Sequence, residues 1–148
     1  MKIFTIGYEG ATVGEFLAAL SAAGVKQVAD IRAIAASRRP GFAKSALAAN
    51  LASVGIGYRH FRALGTPKPG RDAAKKGDRA TLERVYAEQL QEPAAQAEAA
   101  ALQEWATGES TALLCFERDP GMCHRSLLID AEMPEAEVEH LFAGNSGQ

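Results

Sequence analysis

The pattern that most constrains this chain is a strand, a helix and a second strand inside its first 31 residues. Residues 2–6 are a short apolar run stopped by Gly7, as a buried strand would be. Thr12 with Glu15 three residues on makes a capping box, and Val13, Phe16, Leu17 and Leu20 then share one helical face that Gly24 ends. Residues 27–31 form the second strand. A βαβ unit of this kind implies parallel strands, with a right-handed crossover carrying the helix over one face of the sheet.

The alternation continues down the chain. Leu47, Leu51 and Val54 fall at helical spacing in residues 44–54, and IGYRHF at 56–61 alternates as a third strand. Residues 64–77 hold two prolines, three glycines and many cations, which predicts an exposed and mobile loop. Helices follow at 81–90 and from Pro93 to about Trp105, the latter ended by Gly108. A fourth strand at 112–116, a helix from near Cys123 to about Glu132 and a last strand at 138–142 complete the pattern. With 148 residues, 47% hydrophobic and 23% charged, no repeat and no linker, the chain reads as one domain over 1–143 with a flexible tail at 144–148. The expected class is α/β: a doubly wound parallel sheet of about five strands with helices on both faces.

No apolar run reaches the roughly 18 residues of a membrane span, so no membrane association is expected. The opening MKIFTIGYEG lacks the features of a signal peptide, which predicts a cytoplasmic protein. Cys115 and Cys123 are then expected as thiols, with a structural disulfide disfavoured.

Function concentrates in residues 111–128, TALLCFERDPGMCHRSLL. An apolar strand, an acid at its end, a Pro-Gly loop and then Cys123, His124 and Arg125 at a helix start form the arrangement in which open α/β sheets bind ligands. If the first and fourth strands are neighbours, Tyr8 and Glu9, Asp30 and Arg32, and residues 117–125 all reach one crevice. Cys123 is a candidate nucleophile or an inert thiol; Cys115 belongs to the core. His124 is a candidate acid or base, or a bridge from loop to sheet. Arg125 suits an anion clamp or an ion pair with Glu117 or Asp119. Asp30 and Glu117 are the remaining acid–base candidates.

From Arg32 to Lys76 the chain holds ten Lys or Arg against one acid, Asp72, so its net charge of -2 conceals a basic middle. Ser37, Arg38, Arg39 and Lys44 around Gly41-Phe42 combine cations with a candidate exposed aromatic, which suits phosphate contacts and base stacking. The turn Gly7-Tyr8-Glu9-Gly10 lacks the full glycine set of a dinucleotide fingerprint, so nicotinamide is not expected. A zinc site from Cys115, Cys123, His124 and His60 is disfavoured, because the cysteine spacing is not that of a knuckle and adjacent Cys-His ligands are uncommon; the C-x-x-C redox spacing is absent too, and no metal or cofactor is assigned.

Taken together, Thr5-Ile6-Gly7-Tyr8-Glu9-Gly10, Asp30-Ile31-Arg32, Ser37-Arg38 with Gly41-Phe42 and Lys44, Gly57-Tyr58 with His60, Leu64-Gly65, and Leu114-Cys115-Phe116-Glu117 with Cys123-His124-Arg125 resemble the bacterial family called domain of unknown function 488. The resemblance implies a Rossmann-like parallel sheet and supplies no reaction. Ala35-Ala36 and Leu64-Gly65-Thr66 depart from the family pattern in loops beside the crevice. The leading expectation is an enzyme acting on a phosphate-bearing substrate, nucleotide or nucleic acid. Its alternatives are a non-catalytic anion- or nucleic-acid-binding module using Arg71, Lys75 and Lys76, and an enzyme for a small carboxylate.

Overall fold

In the computed structural model, which describes residues 1–144, five strands pair in parallel as one sheet. They are β1 (Lys2–Gly7), β2 (Gln27–Asp30), β3 (Gly57–His60), β4 (Thr111–Cys115) and β5 (Glu137–Phe142), in the spatial order β3-β2-β4-β1-β5. The three inner strands are almost continuously buried because both of their faces are covered, whereas the edge strands β3 and β5 are only partly buried. The fold is α/β and Rossmann-like. The expected tail at 144–148 lies, apart from Gly144, outside the described residues.

The helices are α1 (Val13–Ala22), α2 (Lys44–Ala52), α3 (Lys68–Lys76), α4 (Arg79–Leu90), α5 (Pro93–Gly108) and α6 (His124–Glu132). Successive strand residues point to opposite faces and build two cores. Phe4, Val28, Ala112 and Leu114 meet α1 and α2 through Phe16, Leu20, Leu47 and Leu51. Ile3, Ala29 and Leu113 meet α4, α5 and α6 through Tyr86, Leu102 and Leu128. The capping box at α1 forms as the sequence implies: the Glu15 backbone N–H donates to Thr12 Oγ1 at 3.1 Å and the Thr12 N–H to Glu15 Oε1 at 2.9 Å.

The chain leaves β1 and β2 toward the β3 edge and leaves β3 and β4 toward the β5 edge. Right-handed crossovers send these two directions to opposite faces. Neighbours β2 and β4 therefore part company at their carboxyl ends, which opens a crevice there.

One segment differs from its sequence reading. Residues 64–77 are not a mobile loop: a short 3-10 turn (Arg62–Leu64) leads into α3. Pro67 and Pro69 fit a helix start, where no N–H is needed, and Gly77 ends the helix with φ 74°. Gly70 is buried against Thr66, so close that a Cβ would overlap the threonine methyl. The glycine and prolines that look like helix breakers are here a contact point and a start signal.

Phe16 is fully buried and packs edge-to-face on Phe42, with ring centroids 5.2 Å apart. Phe16→Ala should cost about 3–5 kcal/mol, whereas Thr12→Ala, which removes one cap bond at the surface, should cost about 1 kcal/mol. Urea midpoints of the two variants measure the difference.

Candidate functional site

The end of β4 is drawn against β1 by a glycine and an arginine. A Cβ on Gly7 would overlap the carbonyl of Glu117, so only glycine lets the loop after β4 approach. The Glu9 N–H donates to Phe116 O at 2.9 Å and extends the strand pairing. From the first turn of α6, Arg125 Nη1 donates to Glu117 O at 2.6 Å and to Cys115 Sγ at 3.1 Å, and Nη2 donates to Arg118 O at 3.0 Å. Arg125 is fully buried, and no carboxylate among the described residues pairs with it. Burial pushes its guanidinium down to about 10. Neither the anion clamp nor the ion pair with Glu117 or Asp119 describes this residue, because carbonyls and a sulfur occupy its fork.

Asp30 and Arg32 form a second buried unit. Arg32 Nε donates to Asp30 Oδ1 at 2.9 Å and Nη2 to Oδ2 at 2.8 Å, a bidentate pair. Arg32 Nη1 also donates to Tyr8 Oη at 3.1 Å and to Phe42 O at 2.8 Å. Tyr58 Oη donates to Asp30 Oδ2 at 2.5 Å. Burial opposes the charge on Arg32, but the bonds and charge of Asp30 outweigh it and raise the guanidinium above its ordinary value. Burial and the bond to Asp30 likewise raise the Tyr58 phenol. Both Asp30 oxygens are thus occupied by donors from Arg32 and Tyr58, which leaves none free to act as a base.

The turn at Cys123 forms two links to its surroundings. His124 Nε2 lies 2.6 Å from Ile31 O. A carbonyl only accepts, so Nε2 carries the hydrogen and Nδ1 keeps its lone pair, 3.8 Å from Cys123 Sγ. His124 bridges the loop to the sheet, and burial lowers its pKa to about 4. Cys123 and Cys115 are joined as a disulfide, contrary to the thiols expected for a reducing compartment. The reason is the loop at 116–122, which folds back so that the start of α6 lies beside the end of β4. In this state Cys123 has no thiolate to offer as a nucleophile.

Above these supports lies a cleft of about 480 Å3 at the ends of β1, β2 and β4. Tyr8, Arg32, Cys115, Glu117 and His124 line its floor. The carboxyl of Glu117 is raised chiefly by burial. Arg71 and Lys75, one turn apart on α3, line the same cleft, and Arg71 Nη1 donates to Thr66 O at 2.9 Å. Beside them Thr66 is buried with its Oγ1 unpartnered. Ile34 is 57% exposed and Phe116 is 38% exposed, and both line the same space. Among the described residues they are two of five large apolar side chains left this open.

Other sequence candidates lie outside the cleft lining. Arg39 donates to Ala11 O, Glu9 Oε1 accepts from the Arg118 N–H at 3.0 Å, and Ser37 Oγ accepts from the Arg39 N–H at 3.1 Å. Arg38 and Lys44 are exposed on the loop after β2 and at the start of α2. Phe42 is 1% exposed and stacks on Tyr8 at 4.4 Å, so it is a core residue and not the stacking aromatic that its neighbourhood suggests. Sequence reasoning missed Ile34, Thr66 and Phe116 as site residues, and it placed Arg71 and Lys75 in a loop serving a separate anion-binding face. Their i, i+4 spacing would have marked a wall, had residues 68–76 been read as helix.

The family described as Domain of unknown function DUF488 matches residues 12–131. The chain belongs to the DUF488 family. The DUF488 match runs from the cap of α1 nearly to the end of α6 and so includes every wall of the cleft except Tyr8. No significant match is found among curated proteins or among solved structures.

Two outcomes follow for this DUF488 chain. Asp30→Asn breaks a buried ion pair and should lower stability by about 3–5 kcal/mol, read as an earlier urea midpoint at neutral pH. His124, with a folded pKa of about 4, lies below its unfolded value of about 6.5. The unfolded chain therefore binds the proton more readily, and the contribution is complete above pH ~6.5 and lost as pH falls toward ~4. Urea titrations of the oxidised protein should show this loss, about 3 kcal/mol, and His124→Gln should lack it.

Proposed function

We propose that the cleft binds a phosphate-bearing ligand of nucleotide size and that the protein is an enzyme acting on it in the cytoplasm. The observation that carries this reading is the pairing of two chemistries within one small space. Arg71 and Lys75 offer cations to it, and Ile34 and Phe116 offer open apolar surface. A phosphate suits the first and a planar base the second. A volume of about 480 Å3 falls within the range of small-molecule sites. Glu117, partly buried on the floor with a raised pKa, supplies a group able to exchange a proton with the ligand.

Nucleic acid is supported less well than a nucleotide. The exposed Arg38 and Lys44 lie outside the cleft lining, and the aromatic beside them is buried. A separate binding face on the basic middle segment also loses support, because Arg71 and Lys75 face the cleft itself.

Calorimetric titration with nucleoside mono- and diphosphates, and with pyrophosphate, tests the proposal. Arg71→Ala should weaken nucleotide and pyrophosphate alike by at least about tenfold, the value of one charge-assisted hydrogen bond. Phe116→Ala should weaken nucleotides by about tenfold through lost stacking and leave pyrophosphate unchanged. Arg38→Ala should change neither. Binding of dicarboxylates with no binding of any phosphate compound would overturn the proposal.

A further inference from the structure

We propose that, once a dithiol reduces the Cys115–Cys123 disulfide, the protein holds a zinc ion between the two sulfurs, the Glu117 carboxylate and Nδ1 of His124. The donor atoms of Cys115, Glu117 and Cys123 already lie within 4.8 Å of one another. His124 Nδ1 is 3.8 Å from Cys123 Sγ. A tetrahedral zinc with Zn–S near 2.3 Å and Zn–N near 2.0 Å requires about 3.6 Å between sulfur and nitrogen and about 3.8 Å between sulfurs. The histidine is thus close to ligand distance from Cys123 alone; it stands outside the three-donor group, and Cys115 and Glu117 close toward it once the S–S bond opens. The cysteine Cα atoms stand 7.3 Å apart, wider than the ~4.4–6.8 Å usual for a disulfide. Two sulfurs on one ion, not bonded to each other, suit that backbone spacing.

Two features around the donors support a metal over a purely structural bridge. First, Nε2 of His124 is tied to Ile31 O, which fixes the ring and leaves Nδ1 as the free donor. A backbone carbonyl on the far nitrogen is a usual orienting partner of a metal-bound histidine. Second, Arg125 is fully buried, without a carboxylate partner among the described residues, and aims Nη1 at Cys115 Sγ. A buried cation ordinarily has a counter-charge, which a disulfide sulfur does not provide and a thiolate does. Two thiolates and a carboxylate carry three negative charges, and zinc with Arg125 carries three positive ones, so the buried cluster becomes neutral.

The chemistry balances. The dithiol gives two electrons and two protons to the S–S bond and becomes a disulfide itself. Zinc then displaces a proton from each cysteine thiol as the two Zn–S bonds form. Thiolate and imidazole donors favour zinc over magnesium or calcium. Both cysteines are 1% exposed, which suits an enclosed ion better than exchange with a protein disulfide. The site forms whether or not a phosphate ligand occupies the cleft. In the loaded state Glu117 is held as a ligand, so its proton-exchange role belongs to the metal-free form.

The test uses the whole chain, reduced with a phosphine, freed of metal and titrated anaerobically with Co2+ as a spectroscopic substitute for zinc. The expected result is a thiolate-to-cobalt charge-transfer band with the intense visible bands of a tetrahedral ion, saturating at one ion per chain and abolished by zinc. The unreduced protein should show no such band. Cys123→Ser should lose the band, and Glu117→Gln and His124→Gln should each weaken zinc by at least about tenfold. Arg71→Ala should leave the cobalt spectrum unchanged, and no nucleotide is present, so failure here is separate from failure of the phosphate reading. Reduced wild-type protein that shows no thiolate band, while both thiols react freely with a disulfide reagent in the presence of zinc, would overturn the proposal and leave a redox pair.

Discussion

A single buried guanidinium organises the ligand-facing end of this fold. Arg125 donates to the carbonyls of Glu117 and Arg118 and to the sulfur of Cys115, so it ties α6 to the end of β4 at three points. Those carbonyls belong to a loop that no strand or helix satisfies, and without a donor they would be buried and unpaired. Gly7 is the matching concession on β1, since any side chain there would expel the same loop. The shape of the cleft floor follows from these two residues. Phe116 and Glu117 face the open space because their backbone is held from behind.

The Asp30–Arg32 pair does for β2 what Arg125 does for β4. It fixes the segment after the strand by binding Tyr8 from β1's turn, Phe42 O from the following loop and Tyr58 from β3. Four parts of the chain thereby meet at one buried ion pair. Removing either partner strands a charge that four elements were built to surround, so its replacement disturbs position before it disturbs chemistry. The open sheet supplies a crevice wherever neighbouring strands turn to opposite faces, and these two polar units keep it from collapsing.

Much of the fold was legible because its signals are local. The capping box at Thr12, the alternation of apolar runs with helical patterns, and the Pro93 helix start each depend on neighbours within a turn or two, and each formed where it was read. Residues 64–77 were misread because Gly70 and the two prolines are breakers by composition but contact and start residues by position, which only Thr66 and α4 reveal. Where the candidate residues lie along the strand ends was legible; which partners each of them takes was not. Asp30, Arg32, His124 and Arg125 were rightly drawn to the ends of β2 and β4, yet a sequence does not say which donors and acceptors a charged group will find. Phe42 and Phe116 show the same limit for aromatics, one stacked in the core and the other open to the cleft.

The placement of charge follows a division that bears on what the cleft can hold. Arg32 and Arg125 lie on the floor side of the crevice, buried and spent on internal partners. Arg71 and Lys75 line the cleft from α3, half-buried and exposed; Arg71 gives one bond to Thr66 O, and no carboxylate among the described residues pairs with either. The cleft therefore presents cations, open apolar surface and the partly buried carboxyl of Glu117 together. A long polyanion would need a run of cations along an open groove, whereas here the exposed Arg38 and Lys44 do not line the cleft that α3 walls. One short anionic group attached to one apolar ring uses both kinds of side chain at once, and the proposed nucleotide ligand rests on that match.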